Sequence, residues 1–300
     1  MTRLTNMCKP IDLFREKFAA EFDAADRMVY DVNRQVGDDE TFLRLEAYAT
    51  PTLARLVIEE YMVHTKMHGT VITTYPKVDN EIPIFFCQIG GVGDRSIAVL
   101  DISPTTADLD YTPLIPVYEK YRELLGLKPS STAWLQAICS PYLLHCNYAE
   151  MDEELFVEAM VAYYDVWLEH YYRPAVPATS PDRIERITNA VYKFKFQLHH
   201  HDPAYGFFAK AWGKPAADAF VDLECGDYPA FLPPKDLDDK IRLWHNEISH
   251  VLWTEEAQRT VMAGGEAEQD ERRSRVEAAV LADGFGIITP DLLARYASTS

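Results

Sequence analysis

The sequence predicts an α+β protein in which helices pack on an antiparallel sheet. Segments with strand-like patterning come first, from about Phe42 to Pro104, and turn residues separate them at the spacing of an antiparallel meander. Helical patterns follow, without the strict alternation of strand and helix that is typical of a parallel sheet. A chain of 300 residues with 48% hydrophobic residues is large enough to bury the core of such a fold.

An amphipathic helix is the first predicted element, from about Ile11 to Val36, because apolar side chains recur there at helical spacing. Five predicted strands follow it: Thr41–Tyr48, Leu53–Glu60, Thr70–Tyr75, Ile82–Ile89 and Ser96–Ile102. The last two form a hairpin. The glycine-rich stretch 90–93 lies between these two strands rather than between a strand and a helix, so it predicts a turn and not a dinucleotide-binding loop.

Helices are predicted for most of the region that follows the hairpin. Their expected positions are Ile115–Leu127, Asp152–Tyr172, from Ser180-Pro181 toward His199, and Ala204–Ala211. Ser180-Pro181 and Asp202-Pro203 each combine a capping residue with a proline suited to the first helical turn. The apolar stripe of the second helix indicates core rather than a cofactor-binding face.

The composition changes at the proline-rich stretch 229–234, where we place a domain boundary. Residues 1–230 then form the main domain, and residues 231–300 form a small helical C-terminal extension. Within the extension, helices are predicted at Asp236–Val261, at Asp270–Asp283 and after Thr289-Pro290. The extension is too short and too rich in charge to form much core of its own.

Charge and cysteine content exclude several classes of protein. The chain has 47 acidic residues against 29 Lys and Arg, and the net charge of −18 argues against a generic nucleic-acid binder. The five cysteines contain no CxxC pair, which fits neither a disulfide scaffold nor a zinc or iron–sulfur site. The consecutive histidines 199–201 do not converge on one ion, so we expect no metal. Without a P-loop or a dinucleotide fingerprint, we also expect no tightly bound redox cofactor. No apolar stretch of about 18 residues and no leader is visible, so we expect no membrane segment and a cytoplasmic protein.

Two acids are the candidate catalytic residues. Asp101 stands among Val, Leu and Ile near the end of a predicted strand, where Asp is disfavoured. Burial there would raise its pKa and make it a proton donor near neutral pH, unless it merely opens the polar loop after the strand. Asp202 is either an ordinary helix cap or a cap that also donates a proton, and the adjacent His201 could relay one.

A run of motifs from about Phe42 to Tyr228 resembles the ferredoxin-dependent bilin reductases, which reduce linear tetrapyrroles such as biliverdin. The motifs are the following: Pro83-Ile84-Phe85 through Leu100-Asp101-Ile102-Ser103-Pro104, the segment Trp134–Tyr148, and His201-Asp202-Pro203 through Gly213–Phe220. The resemblance implies an α/β/α sandwich that holds the bilin between the sheet and the C-terminal helices. It also implies that no metal or flavin is held and that ferredoxin supplies single electrons, each paired with a proton, through bilin radicals.

The resemblance assigns roles to individual residues of this chain. Asp101 is similar to the central-strand acid that protonates the bilin, and Asp202 to the acid on the helical side of the pocket. Retention of both acids is most similar to the members that form phycoerythrobilin-type products. The residues implied in substrate binding are Phe85, Gln88, Ser140, Asn147 and His201.

Several positions depart from the family pattern. Val71 stands where phycocyanobilin-forming members have a histidine, and Phe85 lies near the place of a second one. Asn147 stands in place of an arginine that commonly holds a propionate, and His201 in place of an asparagine. These departures leave three hypotheses open: a bilin reductase, a carrier that binds a tetrapyrrole without reducing it, and a relative that reduces a different, less anionic substrate.

Two further expectations concern the tail and the electron donor. The segments Leu252–Ala257, Arg275–Glu277 and Gly286–Asp291 resemble the small C-terminal domain of a light-independent protochlorophyllide reductase subunit. Ferredoxin is usually acidic, so its docking on a chain of charge −18 requires a local basic rim.

Overall fold

The computed structural model describes residues 3–21, 28–37, 41–63, 67–92, 95–202, 204–214, 217 and 224–225. Within these ranges, seven strands form one antiparallel sheet, and each strand pairs with its neighbours in sequence. Helices cover both faces of the sheet. The predicted α+β class and the α/β/α sandwich are therefore confirmed. The predicted boundary near residue 230 and the extension 231–300 lie outside the described residues.

The strands are β1 (Met28–Gly37), β2 (Phe42–Ala49), β3 (Leu53–Val63), β4 (Met67–Pro76), β5 (Ile84–Val92), β6 (Arg95–Ser103) and β7 (Leu144–Ala149). The helices are α1 (Arg3–Glu21), α2 (Ile115–Leu124), α3 (Ala133–Gln136), α4 (Glu153–Val166), α5 (Pro181–His201) and α6 (Ala204–Trp212). A π-helical segment, Trp167–Tyr172, continues α4. In the described ranges, no helix is both long and apolar enough to cross a lipid bilayer.

The prediction of one N-terminal helix from Ile11 to Val36 is wrong. Helix α1 ends at Glu21, and residues 28–37 form strand β1, which pairs with β2. The physical reason is local, because Met-Val-Tyr-Asp-Val at the start of β1 is rich in β-branched and aromatic residues, which favour strands. Pairing with the edge of β2 then outweighs the apolar spacing that suggested a helix.

The predicted hairpin and the later helices are confirmed, with one correction. Strands β5 and β6 pair in continuous register from Ile84↔Ser103 to Val92↔Arg95. Gly90 and Gly91, which we expected in the turn, belong instead to strand β5. The predicted helices correspond to α2, α4 with its π-helical continuation, α5 and α6.

Alternate residues of each strand face opposite helical layers, as the two-residue period of a strand requires. On one side, which we call the α5 face, Val57, Val71 and Phe86 pack against α3, α5 and α6. On the other side, the α4 face, Ile72 and Leu100 pack against α1, α2 and α4. The sheet is thus buried on both sides, and a site on it must lie within one of the two layers.

Candidate active site

Two rows of residues cross the middle of the α5 face. In the first row, each residue pairs with the following one on the adjacent strand, in the order Leu45, Glu59, Val71, Gln88, Val99 and His145. The neighbouring row contains Leu43, Tyr61, Gly69, Gly90, Ile97 and Asn147. These two rows form the floor of the candidate site.

A cavity of about 130 Å³ lies over these rows. The sheet contributes Tyr61, Gln88, Val99, His145 and Asn147 to its wall, and the helical layer contributes Thr132, Trp134, Leu135, Asp202, Ala204 and Phe207. Asn147 is exposed and Phe207 is 38% exposed, so the cavity opens to solvent beside them. Three residues singled out in the sequence, Gln88, Asn147 and Asp202, therefore lie in the wall of one cavity.

The Tyr61 ring reaches the cavity across two glycines. A Cβ atom built on Gly69 would lie 2.3 Å from the Tyr61 hydroxyl oxygen, and one on Gly90 would lie 2.8 Å from it. Phe208 of α6 packs edge-on against the ring, with the ring centroids 5.3 Å apart. Both glycines are needed because any larger side chain would displace Tyr61 from the cavity wall.

Gly69→Ala is therefore expected to lower the free energy of unfolding by about 1–3 kcal/mol, the usual cost of overpacking. Its added methyl group would press on the Tyr61 ring. Gly206→Ala is the control, because a Cβ there meets no atom within 4 Å, and in helix α6 it should be neutral or stabilising. Urea denaturation measures both variants, and equal unfolding free energies would contradict the packing role assigned to Gly69.

Asp101 is fully buried near the end of β6. Its Oδ2 accepts hydrogen bonds from Ser103 Oγ at 2.5 Å and from the Ser140 backbone N–H at 2.8 Å. Its Oδ1 accepts a hydrogen bond from Ser140 Oγ at 2.5 Å. Burial raises the pKa of Asp101 above its ordinary value, and these hydrogen bonds oppose part of the rise. Such a group can keep a proton closer to neutral pH than an exposed aspartate can.

Asp101 is not part of the cavity wall. It lies on the same face as Val99, two residues further along β6 and opposite Phe86. Asp101 therefore lies one row of the sheet away from the cavity, and Ser103 and Ser140 cover its carboxyl oxygens.

Asp202 joins α5 to α6 and lines the cavity from the helical side. Its Oδ1 accepts a hydrogen bond from the Ala204 N–H at 2.8 Å, so the predicted capping role is confirmed. Burial raises the pKa of Asp202 to about 6, although the Ala204 hydrogen bond opposes the rise. Capping uses Oδ1 and leaves Oδ2 able to carry a proton, so both roles are compatible.

Two further acids belong to a carboxyl cluster with Asp202, namely Glu59 of β3 and Glu224. Glu59 is 2% exposed, and its Oε2 is buried without a hydrogen-bond partner within the described chain. Burial, and then the charges of Glu224 and Asp202, raise the pKa of Glu59. Burial and the charge of Asp202 raise the pKa of Glu224 to about 8. Crowding of three carboxyl groups favours forms that retain protons near neutral pH.

The remaining predicted residues lie in different places. Phe85 lies on the α4 face, where it packs against Phe14, Tyr164 and Trp167, so it points away from the cavity and is dropped from the candidate site. The reason is the strand period, since Phe86 and Gln88 occupy the other face. Ser140 is buried against Asp101 rather than in the cavity wall. His201 ends α5, and its side chain lies outside the described part.

Sequence reasoning missed Glu59, Tyr61 and His145 as site residues. Glu59 and Tyr61 alternate in β3 with residues of the opposite face, and that period was the available signal. His145 is a polar residue within β7, as Asp101 is within β6. Only the successive pairings of β3 through β7 bring these positions together. Among the described residues, no group of three His, Cys, Asp or Glu side chains is arranged to hold a metal ion.

The sequence of this chain is similar to sequences of known proteins. Residues 17–223 match the family model described as ferredoxin-dependent bilin reductase. A 15,16-dihydrobiliverdin:ferredoxin oxidoreductase of Synechococcus sp. (strain WH7803) is 26% identical over 44% of this chain, and the match spans 59% of that relative's length. A phycocyanobilin:ferredoxin oxidoreductase of Trichodesmium erythraeum (strain IMS101) is 22% identical over 66% of this chain, and the match spans 81% of that relative's length.

The fold is similar to that of a solved structure. The crystal structure of phytochromobilin synthase from tomato in complex with biliverdin superposes with a TM-score of 0.66. The match covers 75% of this chain and 85% of that one, at 17% sequence identity. At this identity the likeness supports the α/β/α arrangement.

Proposed function

The chain belongs to the ferredoxin-dependent bilin reductase family, and on this premise we propose that it reduces a linear tetrapyrrole of the biliverdin class with electrons from ferredoxin. The observation that carries the proposal to this chain's own residues is a pair of acids on one side of the sheet. Asp202 lines the cavity, Asp101 lies buried one row away, and burial raises the pKa of both.

The two acids can supply the protons that the reduction needs. Saturating one double bond takes two electrons and two protons, and forms two bonds to hydrogen. Ferredoxin delivers the electrons singly, so each is paired with a proton before the next arrives, through a bilin radical. We assign proton donation from the helical side to Asp202 and from the sheet side to Asp101, with a phycobilin as the product.

Asp101 needs a route to the substrate because it is not part of the cavity wall. Ser140, which also lies outside the cavity wall, donates a hydrogen bond from its hydroxyl to Asp101 Oδ1, and we propose that the entering ligand reaches this hydroxyl. A hydroxyl both donates and accepts, so it can pass a proton on or turn away when the ligand enters. Ser140 is therefore proposed as the group that connects Asp101 with the substrate.

The proposed ligand is larger than the cavity of about 130 Å³. We propose that one end of the tetrapyrrole enters between the sheet and α6, and that the rest extends through the mouth beside Asn147 and Phe207. No Lys or Arg is among the described residues that line the cavity. That neutral wall favours, as a second candidate, reduction of a tetrapyrrole less anionic than biliverdin.

Anaerobic absorbance spectra test the proposal. Purified protein is mixed with biliverdin, or with its dimethyl ester, and spectra are recorded before and after reduced ferredoxin is added. We expect a shift of the bilin band on mixing and a second change on reduction. A shift on mixing without further change would indicate a carrier, and a shift with the ester alone would favour the less anionic substrate. No shift with either ligand would contradict the proposal.

Turnover with ferredoxin is expected to fall as ionic strength rises. The chain carries a net charge of −18, which repels an acidic electron carrier. Such a carrier must therefore dock on a local basic surface. Salt screens such local attraction over distances of about 10 Å at 0.1 M. Rates measured from low to high sodium chloride check this, with a small neutral chemical reductant as the control. Equal salt dependence with both reductants would contradict electrostatic docking.

We also propose that the catalytic domain ends near residue 230 and that residues 231–300 form a helical extension. The family match, which ends at residue 223, is compatible with this boundary. The cytoplasmic location expected from the sequence stays a prediction.

A further inference from the structure

His145 is a cavity residue that the proposed reduction has not used. It lies in β7 opposite Val99, in the same row as Gln88 and Glu59. His145 lines the cavity, and its Nδ1 lies 2.7 Å from Ser130 Oγ. Its neighbour on the same face of β7 is Asn147 at the mouth.

The contacts of Ser130 determine which ring nitrogen of His145 carries the proton. Ser130 is 7% exposed, and its Oγ accepts a hydrogen bond from the Thr132 N–H at 3.2 Å. If Nδ1–H also donated to this oxygen, the Ser130 hydroxyl proton would have no acceptor within the described chain. When Ser130 instead donates to Nδ1, the hydroxyl proton and the Nδ1 lone pair are both paired. The ring is then the tautomer with its proton on Nε2.

The Nε2–H group is available to a ligand. It makes no hydrogen bond within the described chain, and it is not among the fully buried unpaired atoms there. His145 lines the cavity and is only partly buried, so a ligand in the cavity is the acceptor that we assign to Nε2–H. Burial lowers the pKa of His145 to about 4, so the ring is neutral at physiological pH.

A neutral donor in this wall suits a neutral acceptor. The described lining residues include one carboxyl group, Asp202, and no cation, and the buried Glu59 lies in the same row as His145. A carboxylate ligand at this end would find no Lys or Arg in the described lining to compensate its charge. A lactam carbonyl oxygen accepts a hydrogen bond without bringing a full charge.

We propose that His145, oriented by Ser130, is a specificity-determining residue whose Nε2–H donates a hydrogen bond to the lactam carbonyl oxygen of the terminal ring that enters the cavity. This inference rests on the proposed function, because it takes a linear tetrapyrrole as the ligand. A neutral hydrogen bond then recognises the inserted end of the tetrapyrrole, and the propionates lie toward the mouth of the cavity.

Binding titrations test the proposal without requiring turnover. Biliverdin and its dimethyl ester are each titrated into the unaltered protein and into His145→Leu, His145→Gln and Ser130→Ala, with the absorbance shift as readout. His145→Leu should weaken binding of both ligands about fivefold to tenfold, the effect of one lost hydrogen bond. His145→Gln should recover part of the affinity through its amide donor. His170→Gln, at an exposed position, is the control and should bind as the unaltered protein does.

Three results would overturn the inference. One is unchanged affinity in His145→Leu, and another is a loss confined to biliverdin, which would mean that His145 meets a propionate. A third comes from ¹⁵N NMR of the unaltered protein, where a protonated ring or an Nδ1–H tautomer would contradict the assignment even if a variant failed to fold. If the unaltered protein shifts the absorbance band of neither ligand, the proposed function is contradicted, and this inference is contradicted with it.

Discussion

Replacing Asp101 by Asn is expected to lower turnover by about 10²–10⁴-fold, the usual contribution of a positioned acid, while the fold and bilin binding are retained. Asn fits the same hydrogen-bond frame. Its Oδ1 can accept from Ser103 and from the Ser140 N–H, and its amide can donate to the Ser140 hydroxyl, which then reverses its role. The variant therefore loses the transferable proton and little else. Anaerobic absorbance and electron paramagnetic resonance should show a bilin radical that accumulates after the first electron.

Two companion variants separate chemistry from folding. Asp182→Asn makes the same change at an exposed position in the first turn of α5 and should leave turnover unchanged. Asp101→Ala removes the acceptor for buried donors of Ser103 and Ser140, so its free energy of unfolding should fall by about 1–3 kcal/mol. Normal turnover by Asp101→Asn would contradict the role assigned to Asp101.

Asp202→Asn is expected to make the protein more stable at neutral pH and less active. Asn is as good a helix cap as Asp, so the hydrogen bond from Ala204 is kept. The substitution removes a charge that burial and the neighbouring Glu59 and Glu224 disfavour. A gain in stability together with a loss of turnover is typical of a residue kept for function.

The pH dependence of the Asp202→Asn effect follows from linkage. The pKa of Asp202 rises from 3.8 to about 6 on folding, so the folded state binds more protons than the unfolded state between these values. The stability of the unaltered protein should therefore fall as pH rises through that window, by about 1–3 kcal/mol from this group. Urea denaturation from pH 4 to 8 should show a smaller fall in Asp202→Asn. Parallel stability curves would contradict the raised pKa.

The sequence allowed prediction of the fold class, and it singled out both acids, whose roles as proton donors come from the family resemblance and stay predictions. An Asp within an apolar strand and an Asp before a proline are visible without tertiary structure. The order of strands and helices also predicted the layered arrangement. The first strand was missed because its residues satisfy both a helical and a strand pattern, and only pairing with β2 decides between them.

The rest of the site depends on contacts that no local pattern contains. Glu59 and His145 are far apart in sequence, and they share a row only because β3 through β7 pair in register. The family resemblance implies Phe85 as a substrate-binding residue, but the strand period turns it to the α4 face. The need for glycine at positions 69 and 90 is explained only by the Tyr61 ring, which packs over both residues.

Analysis of the product of a ferredoxin titration tests the central claim most directly. The anaerobic complex of protein and biliverdin is titrated with reduced ferredoxin, and the bilin is extracted and analysed by liquid chromatography and mass spectrometry. We expect a new bilin that has gained one or more pairs of hydrogen atoms, formed in proportion to the electrons added. Recovery of unchanged bilin after excess reduced ferredoxin, from a protein shown to bind it, would contradict the account.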